Sequence, residues 1–213
     1  MATGGEVREG EIAAALEAIV LAGGAGARFG GAKLTHPWRG GVLIDGALGA
    51  AFAAPARHVT VVTGADAGVE AAARRFAAIC GQAKRLRLVH CPDHARGMGA
   101  TLRAGVASLP AGAAGAYVFL GDMPLVPASV APALAAALAR GAAAAAPSHR
   151  GRRGHPVLFG AELFEALGAL AGDQGARQML ERLRARLALV AVDDPGVLVD
   201  IDRPADLDGL APG

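Results

Sequence analysis

Short unbroken apolar runs recur along the chain, several of them closed by glycine, and longer stretches with helical spacing separate them. A strand covered on both faces reads as such a run, because neither face meets water. Ala18-Ile19-Val20-Leu21, Val59-Thr60-Val61-Val62, Leu86-Arg87-Leu88-Val89, Ala116-Tyr117-Val118-Phe119-Leu120, Pro156-Val157-Leu158-Phe159 and residues 187–192 fit that description. Helices are predicted at 42–54, 67–79, 98–109, 127–140, 161–170 and 176–186, with Pro127 suited to a first turn. The alanine run 142–146 suits either a helix end or a strand. Strands alternating with helices predict an α/β protein, a three-layer α/β/α sandwich on a mostly parallel mixed sheet.

Ligands of such sheets bind beyond the carboxyl ends of the strands. That directs attention to residues 22–33, 63–66 and 121–124. No repeat or linker divides the chain, so 17–213 is expected to form a single domain behind a polar extension, 1–16, carrying Glu6, Arg8, Glu9 and Glu11. A length of 213 residues suits one domain with a substantial core. Apolar residues reach 53%, but alanine supplies many of them and aromatics only 4%, so the core must be aliphatic and tightly packed.

A net charge of +2 gives no argument for nucleic acid. Cys80 and Cys91 lack metal-ligand spacing and read as reduced thiols of a cytoplasmic protein. The longest apolar stretch is broken by Pro132, Arg140 and Gly141, and the N-terminus has no apolar signal core. Neither a membrane span nor a signal peptide is expected.

The most informative segment is Leu21-Ala22-Gly23-Gly24-Ala25-Gly26-Ala27-Arg28-Phe29-Gly30, with Lys33 close behind. Glycines let a backbone approach a ligand closely, and successive amides in such a turn converge on an anion. Arg28 offers a bidentate fork and Lys33 a mobile point charge, a mixture suited to a triphosphate. Two other phosphate loops fit poorly. A Walker A loop needs Gly-Lys followed by Ser or Thr, and here the order is Gly31-Ala32-Lys33-Leu34. A dinucleotide fingerprint needs an acidic residue closing the second strand, where Thr63-Gly64 stands. A glycine-rich turn after a strand also serves simply to turn the chain.

Asp122 follows a predicted strand in Phe119-Leu120-Gly121-Asp122-Met123-Pro124, where a carboxylate suits either Mg²⁺ or a helix cap. Asp200 and Asp202, in Val199-Asp200-Ile201-Asp202-Arg203-Pro204-Ala205-Asp206-Leu207, fall on one side if the stretch is extended. The alternative is that Asp202 only precedes a helix starting at Pro204. Asp93-His94-Ala95-Arg96-Gly97-Met98-Gly99-Ala100-Thr101-Leu102-Arg103 passes from a loop into a helix whose free amides suit a base or phosphate. Arg150-Gly151-Arg152-Arg153-Gly154-His155-Pro156 is a basic loop that suits either an acceptor phosphate or plain solvent exposure. His36, His58, His90, His94 and His149 show no ligand spacing and stay unassigned, and no Gly-x-Ser-x-Gly elbow occurs.

The glycine loop with Arg28 and Lys33, the Leu-Gly-Asp-Met-Pro segment, the Asp-Ile-Asp-x-Pro-x-Asp-Leu ending, the Gly97-Met98 helix start and Gly154-His155-Pro156-Val157 resemble the molybdenum-cofactor nucleotidyltransferases of the wider NTP-transferase superfamily. The resemblance runs over residues 18–207. It implies a Rossmann-like nucleotidyltransferase fold and a Mg²⁺-dependent transfer of a nucleoside monophosphate, with pyrophosphate released. By resemblance the catalytic residues are Arg28, Lys33 and Asp122. Nucleotide binding falls to Leu21, Ala22, Gly23, Gly24, Gly26, Arg28, Lys33, Thr63, Gly64, Gly97, Met98 and Thr101. Metal binding falls to Asp122, then Asp202 and Asp200, and acceptor binding to Arg153, His155 and Pro156. Asp173, in Gly172-Asp173-Gln174-Gly175, matches a further family loop or caps the next helix.

Lys33-Leu34-x-x-Pro37-Trp38, Gly97-Met98 and Gly154-His155-Pro156-Val157 are similar to the cytidylyl branch, so CTP and molybdopterin are the expected substrates, with a molybdoenzyme or its chaperone receiving the product. Gly24 departs from that branch towards the guanylyl one and keeps GTP open. A sugar phosphate or another small phosphate as acceptor, or a nucleotide-binding regulator without turnover, are the other readings.

Overall fold

The computed structural model describes residues 15–170, 175–208 and 210. The polar segment 1–14 and the Asp173 loop lie outside the described residues. β1 (Leu16–Ala22) is buried along its whole length and begins at the last residue assigned to the extension. It is flanked by β4 (Val59–Thr63) and β6 (Gly115–Leu120), both parallel to it, with Leu21 opposite Val62 on one side and Leu120 on the other. β5 (Leu86–His90) extends the parallel array beyond β4. Across β6 the direction changes: β9 (Val157–Gly160) is antiparallel to both β6 and β7 (Ala144–His149). β10 (Leu187–Ala191) closes the edge parallel to β7, giving the order β10-β7-β9-β6-β1-β4-β5. The short β8 (Arg152–Arg153) pairs with β7, and a separate hairpin joins β2 (Pro37–Trp38) to β3 (Gly41–Val42).

Alternate residues of β1 feed two cores. Ala18, Val20 and Ala22 pack with α1 (Ile44–Ala53), α2 (Gly68–Ile79) and α4 (Val130–Ala139). Ile19 and Leu21 pack on the other face with α3 (Met98–Ala107), α5 (Phe164–Gly168) and α6 (Gly175–Leu183). That is the three-layer sandwich expected from the apolar runs, on a mixed, mostly parallel sheet.

Local departures have local causes. The alanine run resolves as β7, because Ala144, Ala145 and Ala146 are fully buried between the two layers. Helix 127–140 is shorter than predicted: α4 starts at Val130, and Pro132 rather than Pro127 occupies its first turn. A proline there costs no intrahelical bond, since the first amides of a helix have no partner. Segment 161–170 divides into a 3-10 turn, Ala161–Leu163, and the single short helix α5. Among the described residues no helix is long and apolar enough to cross a membrane.

Candidate active site

β1, β4 and β6 run parallel, so their carboxyl ends meet on one edge of the sheet, and the segments singled out in the sequence meet with them. Gly121 N donates to the Leu21 carbonyl at 2.9 Å, which joins the tips of β6 and β1. The glycine loop then curls on itself, with Phe29 N and Gly31 N both donating to the Gly26 carbonyl. Gly26 has φ +59, and a Cβ there would stand 2.9 Å from Lys33 Cβ. Its bare backbone therefore lets the loop fold back and aim Lys33 at the tip of β6.

Four charged side chains converge on this edge. Lys33 Nζ donates to Asp122 Oδ2 at 2.7 Å and stands 3.6 Å from Asp202 Oδ1. Arg28 donates through Nη1 to Asp202 Oδ2 at 2.8 Å. Asp202 reaches the site by packing rather than by strand geometry. Ile201 is fully buried in a small cluster with Phe29 and Leu43, and its amide donates to the Asp122 carbonyl at 3.0 Å. Phe29 is the neighbour of Arg28, so one apolar contact sets Arg28 and Asp202 side by side. Asp206 accepts from the amides of Asp202 and Arg203, both at 2.8 Å, and these two bonds hold its carboxyl below the usual carboxylate range. α7 (Ala205–Asp208) follows. Segment 199–202 forms no strand, so the alternation that would set Asp200 beside Asp202 is absent, and Asp200 is exposed.

A cavity of about 400 Å³ opens above the strand tips. Of the residues assigned to the nucleotide, Leu21, Ala22, Gly23, Gly24, Gly26, Lys33, Gly97, Met98 and Thr101 line it, together with Asp122. Arg28 is not part of the lining; its side chain is 74% exposed and is held by Asp202. Thr63 and Gly64 lie behind the lining. The Thr63 hydroxyl is 3.4 Å from His90 Nδ1, and a Cβ on Gly64 would meet the Gly23 carbonyl at 2.5 Å and His94 Cβ at 2.7 Å. Leu34, His94, Ala95 and Leu120 also line the cavity and were not singled out for it from the sequence. His94 and Ala95 fall inside a stretch already marked as a loop-to-helix passage, and that was the available signal.

The basic loop ends on the other flank of Asp122. Arg153 lies on β8, and His155 N donates to the Val197 carbonyl at 3.0 Å. The His155 ring bonds the Val118 carbonyl and feels the charge of Asp122, both of which raise its pKa. Burial lowers it more, and Arg153 adds to the lowering, so the imidazole titrates below the usual histidine range. Its Nδ1 is buried without a partner. Pro156 is buried beside it.

A glycine-rich loop, two cations and two carboxylates thus meet at the carboxyl edge of the parallel strands, an arrangement that suits the nucleotidyltransferase class. Residues 18–187 match the family model described as the MobA-like NTP transferase domain, and the chain belongs to that family. It is similar to the purine catabolism protein PucB of Bacillus subtilis (strain 168), with 32% identity over 194 residues covering 89% of this chain and 93% of PucB. Among solved structures, Rv0371c of Mycobacterium tuberculosis H37Rv superposes with a TM-score of 0.75 at 26% identity, over 92% of this chain and 96% of that one. The complex of the same protein with manganese gives 0.71 at 24% identity, over 92% and 97%. A nucleotidyl transferase from Methanothermobacter thermautotroptrophicus gives 0.69 at 25% identity, over 92% and 95%. The chain is thus a nucleotidyltransferase with a nucleoside triphosphate as substrate.

Proposed function

We propose that the chain transfers CMP from CTP to the phosphate of molybdopterin, in the cytoplasm, with Mg²⁺ as its metal. The observation that carries the nucleotide chemistry is the placement of Lys33 Nζ between Asp122 and Asp202 beside the glycine loop. The cytidylyl choice is supported by the Lys33-Leu34-x-x-Pro37-Trp38 and Gly97-Met98 resemblance.

A phosphate monoester is ionised near neutral pH, so its oxygen attacks the α-phosphorus without a general base. The bond from that phosphorus to the bridging oxygen breaks, and pyrophosphate leaves. The obstacle is charge. Two unit charges about 4 Å apart repel by roughly 4 kcal/mol at an effective dielectric of about 20. Lys33 and Arg28 offset that repulsion, and the loop amides orient the phosphates. Asp122 and Asp202 fit a hard divalent cation, because Mg²⁺ is commonly held by one or two carboxylates with phosphate oxygens completing its shell. Such an ion would neutralise phosphate charge. Asp200 is a weaker candidate, and the Rv0371c complex with manganese concerns that protein alone. On the far side of Asp122, Arg153 and His155 would face the acceptor.

A second reading, transfer from GTP, is favoured by Gly24, where an added Cβ would meet nothing within 4 Å and whose absence widens the cavity. Pyrophosphate release measured for each common NTP, with molybdopterin or with sugar phosphates, decides among these. Release with CTP and molybdopterin is expected. Release confined to GTP, or to a sugar phosphate, would replace the substrate assignment. Nucleotide binding with no release from any pair would leave a regulator.

A further inference from the structure

The cavity has two chemically distinct poles. Its lining contains four polar side chains among the described residues: Lys33, Asp122, His94 and Thr101. Lys33 and Asp122 are bonded to each other and lie at the Gly26 end of the loop. Thr101 and His94 lie at the opposite end. A Cβ on Gly23 would meet Thr101 Oγ1 at 2.6 Å, and a Cβ on Gly64 would meet both Gly23 Cα and His94 Cβ at 2.7 Å. This second pole has no lysine or arginine in its lining. His94 supplies the only ring of the lining, with Ala95, Gly97 and Met98 around it.

The backbone under His94 is fixed. Cys91 N donates to the Thr63 carbonyl at 2.9 Å, and His94 N to the Cys91 carbonyl at 3.2 Å, which ties the 3-10 turn His94–Arg96 to the tip of β4. The bare Gly64 gives the His94 stem its space. His90 meets the ring edge-on, with centroids 6.4 Å apart. The His94 ring makes no hydrogen bond among the described residues, and it is half-buried on the cavity lining.

We infer that His94 is the side chain that contacts the nucleobase, stacking its ring on the base while Lys33 and the glycine loop hold the phosphates. This rests on the proposed nucleotide site and adds to it the element that recognises a heteroaromatic ring. Stacking tolerates any base, so His94 sets affinity for nucleotides over bare polyphosphates, and its neighbours choose among bases.

The test compares His94→Ala, His94→Phe and His94→Asn with the parent enzyme, reading KM and kcat for the NTP and the inhibition constant of inorganic tripolyphosphate, which has no base. His94→Ala is expected to raise the KM about tenfold with kcat within about twofold. His94→Phe should restore most of the KM and His94→Asn should not. Tripolyphosphate inhibition should be unchanged in all three. An unchanged KM in His94→Ala, a matching loss of tripolyphosphate affinity, or failure of phenylalanine to rescue would each overturn the inference. A parent enzyme with no turnover on any NTP would count against the proposed function instead, and equilibrium binding of CTP and tripolyphosphate to the same variants would then decide the role of His94.

Discussion

β1 carries a carboxylate–cation network at each end, and the two are built differently. At its amino end Glu17 is almost completely buried and accepts from Arg57 Nε at 2.8 Å, His58 N at 3.2 Å and His58 Nδ1 at 3.1 Å. Its partners belong to the segment leading into the neighbouring strand, and one of them is a backbone amide. At the carboxyl end Asp122 and Asp202 keep 26% and 43% of their side chains exposed, and side-chain cations from the loop after β1 hold both. The first network is closed, because its carboxylate has no solvent route by which a partner is exchanged. The second is open, and its two cations and two carboxylates balance while no ligand is present. A polyphosphate entering with a metal offers Lys33 and Arg28 new anions and the carboxylates a new cation. Charge networks on one strand thus separate into scaffold and machinery by access rather than by residue type.

The sharpest way to break this distinction is at Lys33. Lys33→Ala is expected to lower kcat about 10³-fold, or about 4 kcal/mol of transition-state stabilisation, with the melting temperature little changed. Pyrophosphate release and a thermal melt on the same sample check both halves, and a folded variant with parental turnover would contradict the assignment. The opposite pattern is expected at Glu17. Glu17→Ala leaves Arg57 and His58 without their shared acceptor and should cost about 3 kcal/mol of stability in urea unfolding. Its KM for the NTP should not move at temperatures where it is folded. A shifted KM would mean that the two ends of β1 are coupled.

A smaller effect tests exchange itself. Lys33 occupies Asp122 through a charge-assisted bond, so it competes with any cation for that carboxylate. In nucleotide-free protein Lys33→Ala should therefore bind Mn²⁺ more tightly, by about tenfold, although it binds nucleotide more weakly. Arg28→Ala should do so by less, because the Arg28 side chain is mostly exposed and its pairing screened. Titration calorimetry with Mn²⁺ alone reads this directly. Equal or weaker metal binding in Lys33→Ala would show that the lysine helps to build the metal site rather than guarding it.

What was legible in the chain follows the same division. β1, β4, β5 and β6 appeared within two residues of their observed bounds, because burial on both faces leaves an apolar run that no helix of that length needs. Lys33 and Asp122 were legible as site residues because each lies in a segment that follows a strand tip, and parallel strands bring those tips together; their ion pair was not legible. Asp202 was legible as a residue but not as a position. Its place depends on Ile201 entering the Phe29 and Leu43 cluster, a contact between segments over 150 residues apart that no local spacing encodes. The sheet strand order and the antiparallel β9 were equally hidden, since apolar runs carry no direction. His94 passed unassigned because histidine has no characteristic spacing when it serves as a lone ring.

The smallest expected effect lies at His155, which stands between the two kinds of network: half-buried, with its Nδ1 fully enclosed, yet beside Asp122. Its folded pKa is lowered below the unfolded value of about 6.5, chiefly by burial. As pH falls through that value the unfolded chain takes up a proton that the folded site resists. Protons bound are then greater in the unfolded state, so stability rises with pH across this window and is lost as the solution is acidified. Above about pH 6.5 both states are neutral at this position and the contribution is complete. For one proton the slope cannot exceed about 1.4 kcal/mol per pH unit. Urea unfolding of metal-free protein between pH 5 and pH 8 should show this slope, and His155→Gln, which keeps a donor for the Val118 carbonyl, should flatten part of it. The comparison is made against the variant so that the slope is assigned to His155 alone. Superimposable pH profiles would mean that the His155 ring takes up its proton without resistance in the folded state, and that the flank beside Asp122 is open to water as the Lys33 side is.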